Sequence, residues 1–447
     1  MSFDGPNNHA DAPSGSQPEW TYLVNLDVSM WDHIHNHTVG SNQRFDKIKE
    51  LVDQTKDGKS QLIVQVVDAN SYSPVYWRID RYRLANGKMD RISAVPDELV
   101  DKLLLGGNQA KVNADFAEML KQGYTLGGLH SLGYTQDLKS LVELAPREGH
   151  VALLNMSHGA GGAGFDGDNG HASLTEVADA IKSGLEKSGR DHLDFFDIDA
   201  CLTGDGNAMK VLTPTADVLV ASQMPEFVDP NGSDTQPIVS VLKDALERPP
   251  QDGPSIAHNL VAKTKQECTD GLKNHTGLCG TPSLAMYDSS ASTNFFDALS
   301  KFSSTLQQVI KDPDNRRGIE SAIKDSFSVD SAESKYGQLR DLQSFVENIS
   351  FELLTDKIKD DSAHNLQKAM DSLKSAQKGF VPAYYGIMSS LKGINVFLPS
   401  ADFDPNDAID EKRSARVNEI YANNMGRIPA WDAFIRDLRD LPEFGNE

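Results

Sequence analysis

The chain has 447 residues, enough for one large domain or two to three ordinary ones and ample for a buried core. With 39% hydrophobic and 24% charged residues it reads as a globular protein, and no apolar run approaches the roughly 20 residues that span a bilayer. Its net charge of −22, from 65 acidic against 43 basic residues, repels phosphate backbones and attracts cationic peptides. Nucleic acid and membrane are therefore not expected as partners.

In chain order, residues 1–19 are rich in Asn, Asp, Pro, Ser and Gly and read as a disordered lead. No basic region followed by an apolar stretch occurs there, so no secretory signal is expected and the compartment stays open. Short runs rich in Val, Leu, Ile and Phe predict strands at 22–26, 62–67, 151–156, 195–198 and 218–221. Amphipathic patterns predict helices at 44–56, 114–122 and 174–187. Segment 72–91 suits a hairpin or irregular strands, and 123–133 a turn-rich loop. This alternation predicts an α/β fold with a mainly parallel sheet flanked by helices.

From 294 to about 378 the pattern is helical, with Phe295, Leu299, Phe302, Leu306 and Ile310 forming one apolar stripe. A strand returns at 393–399, and the tail from 406 ends in a helix that turns Trp431 and Phe434 inward. The division read from this is a lead (1–19), an α/β core (20–290), a helical accessory region (291–380) and a closing strand and helix (381–447). Three cysteines exclude a disulfide scaffold. Cys268 and Cys279 flank a polar loop and are expected as free thiols rather than as a pair.

Two segments carry the chemistry, His158-Gly159 after the strand at 151–156 and Asp199-Ala200-Cys201-Leu202 after the strand at 195–198. In a parallel sheet the carboxyl ends of strands line the ligand crevice, so an imidazole and a thiol fall on one edge. That is the arrangement of a cysteine nucleophile with its histidine. The competing readings are a buried core cysteine and a histidine that only bonds a glycine-rich turn. Gly159 leaves its amide open to a carbonyl oxygen. Asp199, two residues before Cys201, falls on the same strand face; otherwise it caps the next turn.

Three further patterns count for less. Asp166, Asp168 and Asn169 resemble part of a calcium loop but lack the terminal Glu, and read as an acidic turn. His33, His35 and His37 alternate as zinc ligands do, without a second cluster, and read as a polar loop. Residues 159–164 satisfy G-x-G-x-x-G, but six residues, Phe165 to Gly170, intervene before any helix. The nucleotide-binding α/β reading is weak on that ground.

The two motifs, with Trp20-Thr-Tyr-Leu-Val-Asn-Leu, Ala216–Gln223, Pro282–Asp288 and Gly393–Pro399, resemble the clostripain-like (C11) cysteine peptidases of the caspase, legumain and gingipain clan. The resemblance implies a caspase-like sheet and an endopeptidase with Cys201 as nucleophile and His158 as general acid and base. Backbone N–H groups of Gly159 and Cys201 would form the oxyanion hole. Asp199 would lie at the base of the S1 pocket and pair with a P1 Arg or Lys, with Ser222 at the end of the next strand. A second pocket acid would be Glu226, Asp229 or Asp234, with Asp229 favoured. The implied partners are protein or peptide substrates. No cofactor is required, and calcium, which occurs in the family, stays open.

Met156, Ser157 and Gly162 stand where the family usually carries aromatics, and Thr203 where methionine is common. These departures leave the pocket's shape open and keep a catalytically silent scaffold as the alternative. Some relatives cut themselves between the two catalytic positions. Here 159–173 holds no Lys or Arg, Lys182 and Lys187 lie in a predicted helix, and Arg190 follows it, so no self-cleavage is expected there.

Overall fold

Among the described residues the hydrophobic runs form the strands of a nine-stranded sheet. The computed structural model describes residues 18–27, 45–69, 77–92, 131–157, 159, 164–167, 170–226, 236–273, 280–329, 338–355, 357–358, 361–399 and 426–439. The strands are β1 (Trp20–Asp27), β2 (Ser60–Ala69), β3 (Trp77–Ala85), β4 (Lys88–Arg91), β5 (His150–Met156), β8 (Phe195–Asp199), β9 (Val218–Ala221), β10 (Ser283–Asp288) and β12 (Ala383–Gly386). Their spatial order is β12-β10-β9-β8-β5-β1-β2-β3-β4. The five central strands, β9 to β2 in that order, are parallel. Antiparallel strands extend both edges. A small hairpin of β6 (Phe165–Gly167) and β7 (Gly170–Ala172) stands apart, as does a pair of β11 (Leu339–Asp341) and β13 (Asn395–Phe397).

Alternation along each central strand sorts side chains to two cores. Leu23, Ile63, Leu153, Phe196, Ile198 and Leu219 face one layer. It contains α1 (Ser131–Val142), α2 (Leu174–Ser188), α3 (Gly206–Leu212), α6 (Ser292–Val309), α7 (Pro313–Asp325), α8 (Leu342–Leu354), α9 (Asp361–Phe380) and α10 (Pro429–Arg439). Tyr22, Val24, Leu62, Val64, Leu154, Phe195 and Val220 face the other layer, made by α4 (Ile238–Glu247) and α5 (Gly253–Lys273). Burial on both faces is why these strands read as continuous hydrophobic runs. The stripe Phe295, Leu299, Phe302, Leu306 and Ile310 packs into the same cluster as Leu219 and Tyr287. The helices of 291–380 thus share one continuous core with the sheet.

One row of polar side chains crosses this interior. Asn25 Nδ2 donates to Asn155 Oδ1 (2.8 Å), Gln65 Nε2 to Asn25 Oδ1 (2.9 Å) and Arg81 Nε to Gln65 Oε1 (2.7 Å). The register places these residues side by side on β5, β1, β2 and β3. Each amide oxygen in the row accepts from the side chain of the neighbouring strand, which satisfies these acceptors inside the sheet.

The predicted strands at 22–26, 62–67, 151–156, 195–198 and 218–221 all lie within sheet strands, and 72–91 contains the β3–β4 hairpin. The hairpin turns through Asn86 and Gly87, both at positive φ (52° and 69°), as a tight two-residue turn requires. Helix 174–187 is α2. It starts with a capping box between Ser173 and Glu176 and stops at Gly189 in the left-handed region. The predicted helix 114–122, loop 123–133 up to residue 130, and the triplet His33, His35 and His37 lie outside the described residues. One expectation is corrected. Cys268 is disulfide-bonded, not a free thiol. Its Sγ lies 3.4 Å from Thr281 O, while Cys279 lies outside the described residues.

Candidate active site

The carboxyl ends of β5, β8 and β9 lie side by side. Met156 pairs with Asp199 and Ile198 with Ala221, so the residues that follow emerge at one edge. Ser157 N–H extends the ladder by donating to Asp199 O (3.1 Å). Beyond Asp199 the strand stops. Ala200 N–H bonds Ile198 O (2.9 Å), Thr203 Oγ1 bonds Ala200 O (2.8 Å), and Leu202 takes φ +62°. A bulky residue in the left-handed region is strained and persists only where its surroundings hold it. Here the Leu202 side chain is buried and its N–H donates to Met224 O (3.2 Å). This turn leaves Cys201 partly exposed at the sheet edge as a free thiol.

The glycine of the His158-Gly159 motif packs directly on that turn. A Cβ at Gly159 would lie 2.2 Å from Cys201 O and 2.8 Å from Cys201 N, so no other residue fits without moving the chain. Gly159 also bridges to Phe165, which ties the segment to the β6–β7 hairpin. Ser157 and Gly159 therefore both touch the 199–201 peptide run. His158, between them, lies outside the described residues, as do Asp229, Asp234 and Asp168. Among the described residues after Gly159 no helix starts until Leu174, beyond the hairpin, so none of them offers a helix N-terminus to a phosphate at residues 159–164.

Glu226 holds Cys201 from the other side. Its N–H donates to Cys201 Sγ (3.2 Å), and its carbonyl lies 3.8 Å from the same sulfur. A backbone donor on sulfur favours the thiolate, the reactive form. The Glu226 side chain meets Asp199 in a carboxyl–carboxyl hydrogen bond, and Gln236 Nε2 donates to its Oε1 (2.9 Å). Burial, then the Asp199 charge and that hydrogen bond, then Cys201, push the Glu226 carboxyl well above its ordinary range, against the Gln236 amide. Glu226 therefore holds its proton more tightly than an ordinary glutamate does.

Asp199 is buried, and Asp197 lies one strand repeat below it. Asp197 is inaccessible, neither of its carboxyl oxygens has a hydrogen-bond partner, and burial followed by the Asp199 charge pushes its pKa far up. Ser222 is fully buried as well. Its Oγ bonds Met224 O (3.0 Å), accepts from Met224 N–H (3.2 Å) and lies 3.3 Å from Ser283 Oγ. That hydroxyl closes a turn. Sequence reasoning passed over Asp197, although Asp197-Ile198-Asp199 already puts two acids on one strand face, and over Gln223 and Gln236, for which no local signal exists. Among the described residues no group of three or more His, Cys, Asp or Glu is arranged to hold a metal ion.

The clostripain-family (Peptidase C11) model matches residues 145–403, more than half of the chain and the whole of this site. The chain belongs to the clostripain family. It is a cysteine peptidase, and its substrates are proteins or peptides. It is similar in fold to iotapain, a secreted C11 cysteine protease from Bacteroides thetaiotaomicron, at 14% identity and a TM-score of 0.54 over 92% of this chain and 100% of that one. It is also similar to a secreted C11 cysteine protease of the same organism in complex with an irreversible peptide inhibitor, at 15% identity and a TM-score of 0.53 over 91% and 98%. The mainly parallel sheet between helical layers is thus caspase-like. No curated protein matches the chain.

Proposed function

We propose that this peptidase cuts on the carboxyl side of Arg or Lys through a Cys201–His158 dyad. The observation that carries the dyad is the contact of Gly159 with the Cys201 peptide, together with the Ser157 bond to Asp199. Cys201 Sγ attacks the scissile carbonyl carbon, and the oxyanion is held by the N–H groups of Gly159 and Cys201. His158, holding the proton that Cys201 gives up as its Sγ–C bond forms, passes it to the leaving amine as the C–N bond breaks, leaving a thioacyl enzyme. Water, giving a proton to His158, then hydrolyses the thioester and frees Cys201. These steps use sulfur, imidazole and backbone N–H groups and no cofactor. Calcium, with Asp166 and Asp168 as its nearest sequence candidates, is tested by comparing turnover in chelator and in added calcium.

The basic P1 preference rests on the acids below Cys201. Asp199 and Glu226 face each other with Asp197 buried beside them, an arrangement costly for negative charge. A cationic P1 side chain relieves it, and no neutral side chain does so equally. Glu226 takes the part of the second pocket acid, Asp229 adds charge further along the same segment, and Ser222 sets that segment's path. The test is a panel of fluorogenic peptides with P1 Arg, Lys, Asp, Asn or Leu, run with Asp199→Asn alongside. Arg or Lys peptides should be fastest, and Asp199→Asn should cost them about a hundredfold in kcat/KM, as loss of one member of a buried ion pair does. A fastest peptide with Asp, Asn or Leu at P1 would remove the basic pocket and leave the dyad standing.

A further inference from the structure

The segment that touches the nucleophile is fastened from far away in the sequence. Past β9 the chain runs through Ser222 and Gln223 to Met224 and Glu226, which bond Leu202 and Cys201. Gln223 is buried, and its polar groups are engaged with other parts of the chain. Its N–H donates to Ser283 Oγ (3.1 Å) and its carbonyl accepts from Asn395 Nδ2 (2.6 Å). Its Nε2 donates to Asp341 Oδ2 and Asn395 Oδ1 (2.9 Å each), and its Oε1 accepts from Gly393 N–H (2.7 Å).

Asn395 also holds the other wall. Its N–H donates to Gly204 O (2.9 Å), three residues after Cys201, while Gly204 N–H donates to Ser222 O (2.6 Å). Asp341 is fixed in turn by Lys392 N–H (2.7 Å) and by Ser344 N–H (2.8 Å), whose helix α8 it caps. The β11–β13 pair therefore grips both the turn carrying Cys201 and the segment facing it.

We propose that Gln223, clamped by Asp341 and Asn395, is a positioning residue that sets segment 222–226 against Cys201, so that the carboxy-terminal layer fixes the substrate cleft. The inference takes Cys201 as the nucleophile and is independent of the P1 reading. Its geometry is over-determined, since five bonds from three chain segments converge on the side chain, N–H and carbonyl of this one residue. Such a buried polar network fixes one arrangement when fully satisfied and fails when one member is removed.

The test compares two reactions of the same sulfur. One is turnover of whichever fluorogenic peptide in the P1 panel the enzyme cuts fastest, which needs the cleft. The other is alkylation of Cys201 by iodoacetamide, read by intact mass, which needs the thiolate but no seated peptide. Gln223→Glu sets a carboxylate against Asp341 and is expected to lower peptide kcat/KM about tenfold, mainly through KM, with a clearly smaller fall in alkylation, about threefold at most, through the Glu226 N–H on sulfur. Adding Asp341→Asn supplies an amide donor in place of the repelling carboxylate and should restore most of the loss.

If Gln223→Glu does not fold, Asn395→Ala, which keeps the backbone bond to Gly204, should show the same split. Three results would overturn the proposal: unchanged peptide kinetics in a folded variant, peptide and alkylation rates falling in equal proportion, or no rescue in the double variant. Peptide turnover that survives Cys201→Ala would instead remove the nucleophile assignment, and is thereby told apart from these.

Discussion

Gly159→Ala perturbs the structure at the point where the two motifs meet. The added methyl would sit 2.2 Å from Cys201 O, where real Cβ contacts essentially never fall below 3.0 Å, so the segments must part by about 0.8 Å. The obstacle is backbone on the Cys201 side, and β8 below it is wholly buried, so the 157–159 segment is what gives way. A displacement of about 1 Å between reacting groups costs on the order of a hundredfold in rate, which corresponds to about 2.7 kcal/mol in the barrier. The assay is kcat/KM on the fastest fluorogenic peptide, with thermal melting alongside. Activity should fall about a hundredfold while Tm drops by a few degrees, because the disturbed contact lies at the sheet edge and both cores stay packed. Gly159→Ala enzyme within threefold of the parent would refute the close packing of this segment on the Cys201 peptide.

The remaining predictions concern stability and processing. Burial raises Asp205, Asp341 and Asp432 to about 6 each and Asp137 to about 7, the last against the Arg81 charge. An acid whose folded pKa is raised stabilises the fold below its unfolded pKa near 4, and that contribution is lost as pH climbs through the folded value. Tm should therefore fall between pH 5 and pH 7.5, each of these groups by itself contributing up to roughly 3 kcal/mol. Asp341→Asn should flatten the fall, and a Tm that rises over this range would contradict the assignment. No cut is expected between His158 and Cys201. Lys182 and Lys187 lie inside α2, and Arg190 is held by Gly149 O (2.7 Å) and Asp194 (3.0 Å) with an 11% exposed side chain. Intact mass of active enzyme should show an unbroken interval, and two fragments split there would refute this.

What could be read from the sequence was local or periodic. His158-Gly159 and Asp199-Ala200-Cys201 follow strands whose hydrophobic runs mark them as doubly buried, so their meeting at one sheet edge follows from parallel topology. The stripe from Phe295 to Ile310 announced a helix face but not its partner, and only the fold shows it closing the same core as β9 and β10. Gln223, Asp341 and Asn395 gave no signal because their bonds span 118 and 172 positions. Any polar residue in a buried strand end looks alike until its partners are known. Glu226 was one of three acids weighed for the pocket. What separates it is the backbone clasp on Cys201, which no side-chain pattern encodes. The disulfide at Cys268 was missed for a related reason, since loop closure depends on where α5 and the start of β10 come together.

The central claim, peptide cleavage by Cys201 with His158, is tested most directly by one comparison. Parent, Cys201→Ala and His158→Ala enzymes are assayed on the fastest peptide of the P1 panel, with melting curves to establish that all three fold. Turnover should vanish in Cys201→Ala and fall at least a thousandfold in His158→Ala, as loss of a nucleophile or its base does. Parent-like turnover in folded Cys201→Ala would contradict the account at its root.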